Sequence, residues 1–136
     1  MSRIVLLRAA SLLSLVLVAG STYLLLAAQP RSASEIALFK WMQLYRFDAM
    51  GFTRSHWDFY RGLGLIFNFN FLLLAALLWR LAASAGSWPE FARPMIGTVF
   101  LGYAVFAMVA WLYFFSAPAA VLTAAAVCLG IAYFSR

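Results

Sequence analysis

Charge is scarce in this chain, and acidic charge most of all. Of 136 residues four are Asp or Glu and ten are Lys or Arg, so charged residues make up 10% where an ordinary soluble domain carries about 25%. So little polar surface cannot cover a globule in water. Cysteine and histidine occur once each, at Cys128 and His56. A single cysteine excludes an intramolecular disulfide framework, a dithiol redox centre and a zinc site of cysteines, and leaves the redox compartment unreadable. A single histidine without acidic or thiol companions makes a poor metal site, so neither a metal nor a cofactor is expected. What fills the chain instead is apolar: 66% hydrophobic residues, with 13 Phe, 6 Tyr and 5 Trp, and a mean hydropathy of +0.93. That composition excludes low-complexity disorder and belongs to a chain whose solvent is largely lipid. The net charge of +6 is scattered along the borders of apolar runs, which argues against nucleic-acid binding.

Three stretches carry no charge at all: 9 to 30, 62 to 79 and 94 to 135, or 22, 18 and 42 residues. The first two each fit one crossing, because a hydrocarbon core of about 30 Å takes about 20 helical residues. The third is twice too long and must turn back at Ser116-Ala117-Pro118, where proline lacks an N–H and pushes its predecessor out of the helical region. The expected fold is therefore all-α, a four-helix transmembrane bundle forming one integral membrane domain over 1–136, with spans at approximately 6–28, 57–82, 94–115 and 119–135. The first span is expected to be retained, since its apolar region exceeds the roughly 7 to 15 residues of a cleaved leader. The second should start near His56, with Ser55 as its cap and Asp58 in the first turn, where the helix dipole favours an acid. It should end near Ser84, ahead of a loop from Ala85 to Arg93.

Orientation rests on a tied count. Arg3, Arg8, Arg80, Arg93 and Arg136 border one side, and Arg31, Lys40, Arg46, Arg54 and Arg61 the other. The close flanking of the first span by Arg3 and Arg8, with three of the four acids in segment 31 to 61, favours cytoplasmic N- and C-termini.

Residues 34 to 50 are not a span. Leu38, Trp41, Met42, Tyr45 and Ala49 recur at helical spacing, while Glu35, Lys40, Gln43 and Arg46 share the other side. This predicts an interfacial amphipathic helix between helices one and two, ended by Gly51, with its Leu38, Trp41, Met42 and Tyr45 stripe shielded. Ile36, Phe39 and Phe47 interrupt the polar side, which predicts burial against both lipid and the end of the bundle. In the last span Ala120, Ala124, Cys128 and Ala132 repeat every four residues. Such a stripe of small residues lets another helix come close, and Thr98 and Gly102 offer the same in the third span, so internal packing of that hairpin is expected there.

Polar groups inside a membrane are costly, so the few present are the functional leads. Asp58, Arg61, Leu65 and Asn68 fall at 0, +3, +7 and +10, a stripe expected to run from the interface into the bilayer and to face the bundle, with Leu65 buried and Phe67 and Phe71 toward lipid or a partner. Asp58, Tyr60, Arg61, Asn68 and Asn70 are the candidate ligand-binding residues. Each also has a plainer reading. Asp58 and Arg61 can form a local salt bridge at the helix mouth, and Trp57, Phe59 and Tyr60 an aromatic belt. Asn68 and Asn70 can bond between helices, and His56 can be an ordinary interfacial polar residue. Gly62 and Gly64 are either packing glycines or places where a ligand reaches the backbone.

The run Arg54-Ser55-His56-Trp57-Asp58-Phe59-Tyr60-Arg61-Gly62-Leu63-Gly64-Leu65, preceded by Met50-Gly51 and followed by Leu77-Leu78-Trp79-Arg80-Leu81, resembles a family of small bacterial four-helix integral membrane proteins with no assigned activity. Its pattern is an aromatic, Asp, Phe, Tyr, any residue, Gly, any residue, Gly. The resemblance covers roughly residues 38 to 81, about a third of the chain. It implies a bacterial inner-membrane location. Members tend to carry histidines in the first helix, where this chain has Ala19-Gly20-Ser21-Thr22.

Two functions are compatible with these features. The first is a non-catalytic integral membrane protein that packs with itself as a homo-oligomer or with a membrane complex, and holds membrane lipid or another hydrophobic molecule. The second is a membrane enzyme or carrier for a lipophilic substrate, with Asp58 and His56 as an acid–base pair, Arg61 holding an anionic or carbonyl group and Asn68 orienting it. The second requires Asp58, Arg61 and Asn68 to line one cavity of about 300 Å³ or more.

Overall fold

A computed structural model of the chain describes residues 2–27, 29–87 and 89–135. The expected end of the first span at residue 28 and the charge of Arg136 lie outside the described residues. The elements are α1 (Arg3–Leu26), α2 (Ala33–Leu44), β1 (Arg46–Ala49), β2 (Phe52–Ser55), α3 (His56–Ser84), α4 (Pro89–Tyr113) and α5 (Ser116–Phe134). Four of these helices, α1, α3, α4 and α5, are long and apolar enough to cross a membrane. The chain forms two compact units, one of Met1–Val18 with Asn70–Arg136 and the other of Ala19–Phe69, so α1 and α3 each contribute to both.

In the first unit four helical segments share an apolar core. Leu6, Leu7 and Ala10 of α1, Phe71, Ala75 and Leu78 of α3, Ile96 and Tyr103 of α4, and Ala119, Ala125 and Leu129 of α5 are all buried. Polar groups inside it are matched. The Ser11 hydroxyl donates to the Ala75 carbonyl at 2.7 Å, tying α1 to α3, and Ser14 joins the Tyr103 hydroxyl, tying α1 to α4. Arg3 donates through Nε to the Ala132 carbonyl at 3.2 Å and through its terminal nitrogen to that of Ser135. A cation thereby satisfies carbonyls at the C-terminus of α5, where the helix dipole favours one.

The α4–α5 hairpin packs where side chains are missing. A Cβ on Gly97 would stand 2.9 Å from the Tyr133 ring, and one on Gly130 would stand 3.1 Å from that of Phe100. Glycine is therefore what lets each ring lie against the facing helix. The expected stripe is not this contact face: Ala120 and Ala124 are exposed, Cys128 is half-buried and only Ala132 is buried. A four-residue step turns about 400°, so over three steps such a stripe drifts roughly 120° around the helix and cannot follow a straight neighbour. Thr98 is also exposed and returns its hydroxyl to the Pro94 carbonyl at 3.1 Å, and nothing lies within 4 Å of a Cβ placed on Gly102.

Pro118, expected to break the chain between two helices, lies inside one, and so does Pro94. Pro94 sits in the second turn of α4, which begins at Pro89 rather than 94, and it forfeits one backbone bond. Pro118 occupies the first turn of α5, which begins at Ser116 rather than 119, where an N–H would have no helical acceptor in any case. The reversal falls on residues 114 and 115.

In the second unit α2 is capped by Ser32, whose hydroxyl accepts from the Glu35 N–H at 3.2 Å, while the Glu35 carboxylate accepts from the Arg31 N–H. This is a capping box displaced by one residue. The helix ends at Leu44, not at 50, because Tyr45 turns extended and the chain enters a two-stranded antiparallel hairpin that the all-α expectation did not contain. Ala49 pairs with Phe52 and Arg46 with Ser55. Met50 and Gly51, at φ 55° and 87°, make the two-residue turn, and the Gly51 N–H donates to Asp48 Oδ1 at 2.9 Å. Positive φ at both central residues matches the twist of the strands and explains the glycine.

Exposure along α2 also differs from the expected pattern. Leu38, Trp41 and Tyr45 are exposed, whereas Met42 and Phe39 are half-buried and Phe39 packs against Trp57 at 5.3 Å. The protein core of this unit therefore lies along the Phe39 and Met42 side.

Candidate functional site

Of the leads quoted from the sequence, His56, Asp58, Tyr60 and Arg61 lie in the first turns of α3. Ser55 and Asp58 cap each other: the Asp58 N–H donates to Ser55 Oγ at 3.2 Å, and Asp58 Oδ2 accepts from the Ser55 N–H at 2.8 Å and its hydroxyl at 2.9 Å. This reciprocal pair satisfies orphan groups at the helix start and holds the carboxylate in place. Arg46 and Arg54 lie within electrostatic reach of that carboxylate. Among the described residues Asp58 makes no ion pair with Arg61, whose side chain is exposed.

His56 points elsewhere. Its ring stacks on Tyr45, centroids 5.5 Å apart and 9° from parallel, and lies 5.0 Å from Phe47. Phe47 packs on Phe59 at 5.5 Å, and Trp57 on Tyr60 at the same separation. The aromatic run thus divides between two clusters, Phe47 of the hairpin with Tyr45, His56 and Phe59, and Phe39 of α2 with Trp57 and Tyr60, each tied to the start of α3. Among the described residues no hydrogen bond links His56 to Asp58, and no three His, Cys, Asp or Glu side chains come together to hold a metal ion.

Deeper along α3, Asn68 is buried and its Nδ2 donates to Thr22 Oγ1 of α1 at 3.0 Å, while its Oδ1 has no donor among the described residues. Gly64, one turn earlier, faces Leu25 of α1 at 2.9 Å from where its Cβ would be. Asn70 is exposed, as are Tyr60 and Leu65, whereas Phe71 is only 1% exposed. The expected stripe from Asp58 through Leu65 to Asn68 is therefore split, and Phe71 belongs to the core rather than to lipid. Ten residues advance about 1000°, which leaves Asn68 roughly 80° around the helix from Asp58. The buried side instead runs through Gly64, Asn68 and Phe71.

A groove of about 470 Å³ opens between the hairpin and α3, lined by Ala49, Phe52 and Arg54 from the hairpin and by Asp58, Phe59, Gly62, Leu63 and Ile66 from α3. Asp58 is the one candidate that borders it; His56, Tyr60, Arg61, Asn68 and Asn70 do not. The convergence that an acid–base mechanism needs is absent from this groove. Sequence reasoning quoted Arg54 only in the charge count and as the start of the motif and gave neither it nor Phe52 a role at a site, because their joint position depends on the hairpin, and it passed over Ser11, Ser14 and Tyr103. For the serines a signal existed, two hydroxyls three residues apart inside an apolar span.

No family model, curated protein or solved structure matches this chain.

Proposed function

We propose that this chain is a non-catalytic integral membrane protein, a four-helix bundle that packs with itself or as a subunit of a membrane complex and holds a lipid. The observation that carries this reading is the commitment of the polar side chains at the mouth of α3. Asp58 is oriented by the Ser55 cap through Oδ2 and His56 by stacking on Tyr45, so neither faces the other. Meanwhile α3, α4 and α5 present Leu63, Ile66, Phe69, Leu101, Leu112 and Ile131 more than half exposed, a surface that water does not tolerate and lipid or a partner helix does.

In this reading the four helices cross the bilayer with both termini in the cytoplasm of a bacterial cell. Helix α2 lies in the interface with Leu38, Trp41 and Tyr45 toward the acyl chains. Their exposure supports that placement, since tryptophan and tyrosine favour the headgroup level. Membership of the family of small four-helix membrane proteins is part of the same proposal and rests on the motif from Trp57 to Gly64.

Native mass spectrometry of the detergent-extracted protein tests the function, because subunits and retained molecules are read together. Oligomers or lipid adducts that survive delipidating detergent are expected. A bare monomer under all conditions would overturn the reading.

A further inference from the structure

The groove between the hairpin and α3 is lined by two charges of opposite sign on an apolar floor, Arg54 and Asp58, while Arg46 lies outside the lining but within electrostatic reach of the carboxylate. Arg54 stands at its hairpin side, with its guanidinium 5.6 Å from the Phe52 ring and, among the described residues, one side-chain hydrogen bond, from Nη1 to the Thr53 carbonyl at 3.3 Å. The remaining donors of that fork are open to a ligand. Asp58 stands at its helix side; Ser55 engages Oδ2, and Oδ1 accepts no bond among the described residues. Below Asp58, Gly62 and Ile66 follow at four-residue steps, and nothing lies within 4 Å of a Cβ placed on Gly62. The floor is thus open alongside a helix long and apolar enough to cross a membrane.

We propose that this groove seats a zwitterionic phospholipid, with Arg54 holding the phosphate, Asp58 holding the ammonium and one acyl chain lying along Gly62 and Ile66. Charge complementarity selects this occupant. A purely anionic headgroup would meet the Asp58 carboxylate, and a simple cation would meet the Arg54 guanidinium. A zwitterion satisfies both, and guanidinium–phosphate recognition is a strong charge-assisted contact. The apolar floor requires an acyl chain, which a soluble phosphate ester lacks. An ammonium with N–H donors suits the free Oδ1.

The proposal rests on the lipid-holding reading above, and the test separates the two. Wild-type protein and the variants R54Q, D58N and G62L are equilibrated in micelles holding equal amounts of phosphatidylethanolamine and phosphatidylglycerol, and adducts are read by native mass spectrometry. Asparagine retains an oxygen to accept from Ser55, so D58N removes the charge and keeps the helix cap. G62L fills the floor and leaves both charges. The wild type is expected to favour phosphatidylethanolamine. Losing one charged contact should lower adduct occupancy about tenfold or more, with D58N acting on phosphatidylethanolamine selectively, R54Q on both lipids and G62L on both. Preference for phosphatidylglycerol, or adducts insensitive to all three variants, would overturn the groove assignment and leave the lipid-holding reading standing. No lipid adduct on the wild type would overturn both.

Discussion

The hydrogen bond between Ser14 and Tyr103 gives a quantitative test of the buried core. Ser14 has one hydroxyl proton, which goes to the Ala10 carbonyl of its own helix at 2.8 Å, so Tyr103 is the donor to Ser14 Oγ. Both residues are buried, Ser14 at 0% and Tyr103 at 1% exposure. The two single substitutions are therefore unequal. Tyr103→Phe removes a donor and leaves Ser14 bonded to Ala10, so it should cost about 0.5–1.5 kcal/mol. Ser14→Ala strands the Tyr103 O–H in an apolar core, a penalty of about 1–3 kcal/mol. Alanine's helix preference returns at most about 0.7 kcal/mol of that. The double variant should be no worse than Ser14→Ala alone, because no orphan remains. Within membranes such cycles average about 0.6 kcal/mol and reach about 1.7 kcal/mol, which bounds the expected coupling. Equilibrium unfolding in bicelles, followed by near-ultraviolet signals, measures all four corners of the cycle. The donor assignment fails if Tyr103→Phe costs more than Ser14→Ala, or if the two losses simply add.

Three further outcomes follow from local geometry. Gly97→Val should destabilise by about 1–3 kcal/mol, because its Cβ would meet the Tyr133 ring at 2.9 Å, whereas Gly102→Ala, with open space around it, should be neutral or stabilising; equal losses in the same unfolding assay would contradict this. Met50→Asn should protect the hairpin amides from hydrogen exchange, since methionine at φ 55° carries about 1 kcal/mol of strain that asparagine largely relieves, and faster exchange in the variant would argue against the turn as described. With Cys128→Ala as background, cysteines at Ser2 and Ser135 should label from one side of the membrane and a cysteine at Ser34 from the other. Labelling of Ser2 and Ser34 from the same side would exclude four crossings.

The sequence alone settled how many helices could cross a membrane, because their number depends only on the lengths of uncharged runs and the thickness of a bilayer. It also settled where α3 begins, since Ser55 and Asp58 carry a capping signal that is local to four residues. Faces were another matter. In water a helix announces its buried side by an apolar stripe; a helix bathed in lipid is apolar on every side, so Leu65 and Phe71 look alike in sequence although one is 56% exposed and the other 1%. Only the tertiary structure decided between them, through which rings and glycines fit together: Phe71 against Tyr103, Gly97 against Tyr133, Gly130 against Phe100. The hairpin was hidden for a related reason. Helical periodicity persists by chance as far as Ala49, and the two positive φ angles at Met50 and Gly51 become visible only once strands pair across them. That pairing brings Arg54 opposite Phe47 and into the same groove as Asp58, so the site's charge balance is a product of folding rather than of spacing along the chain.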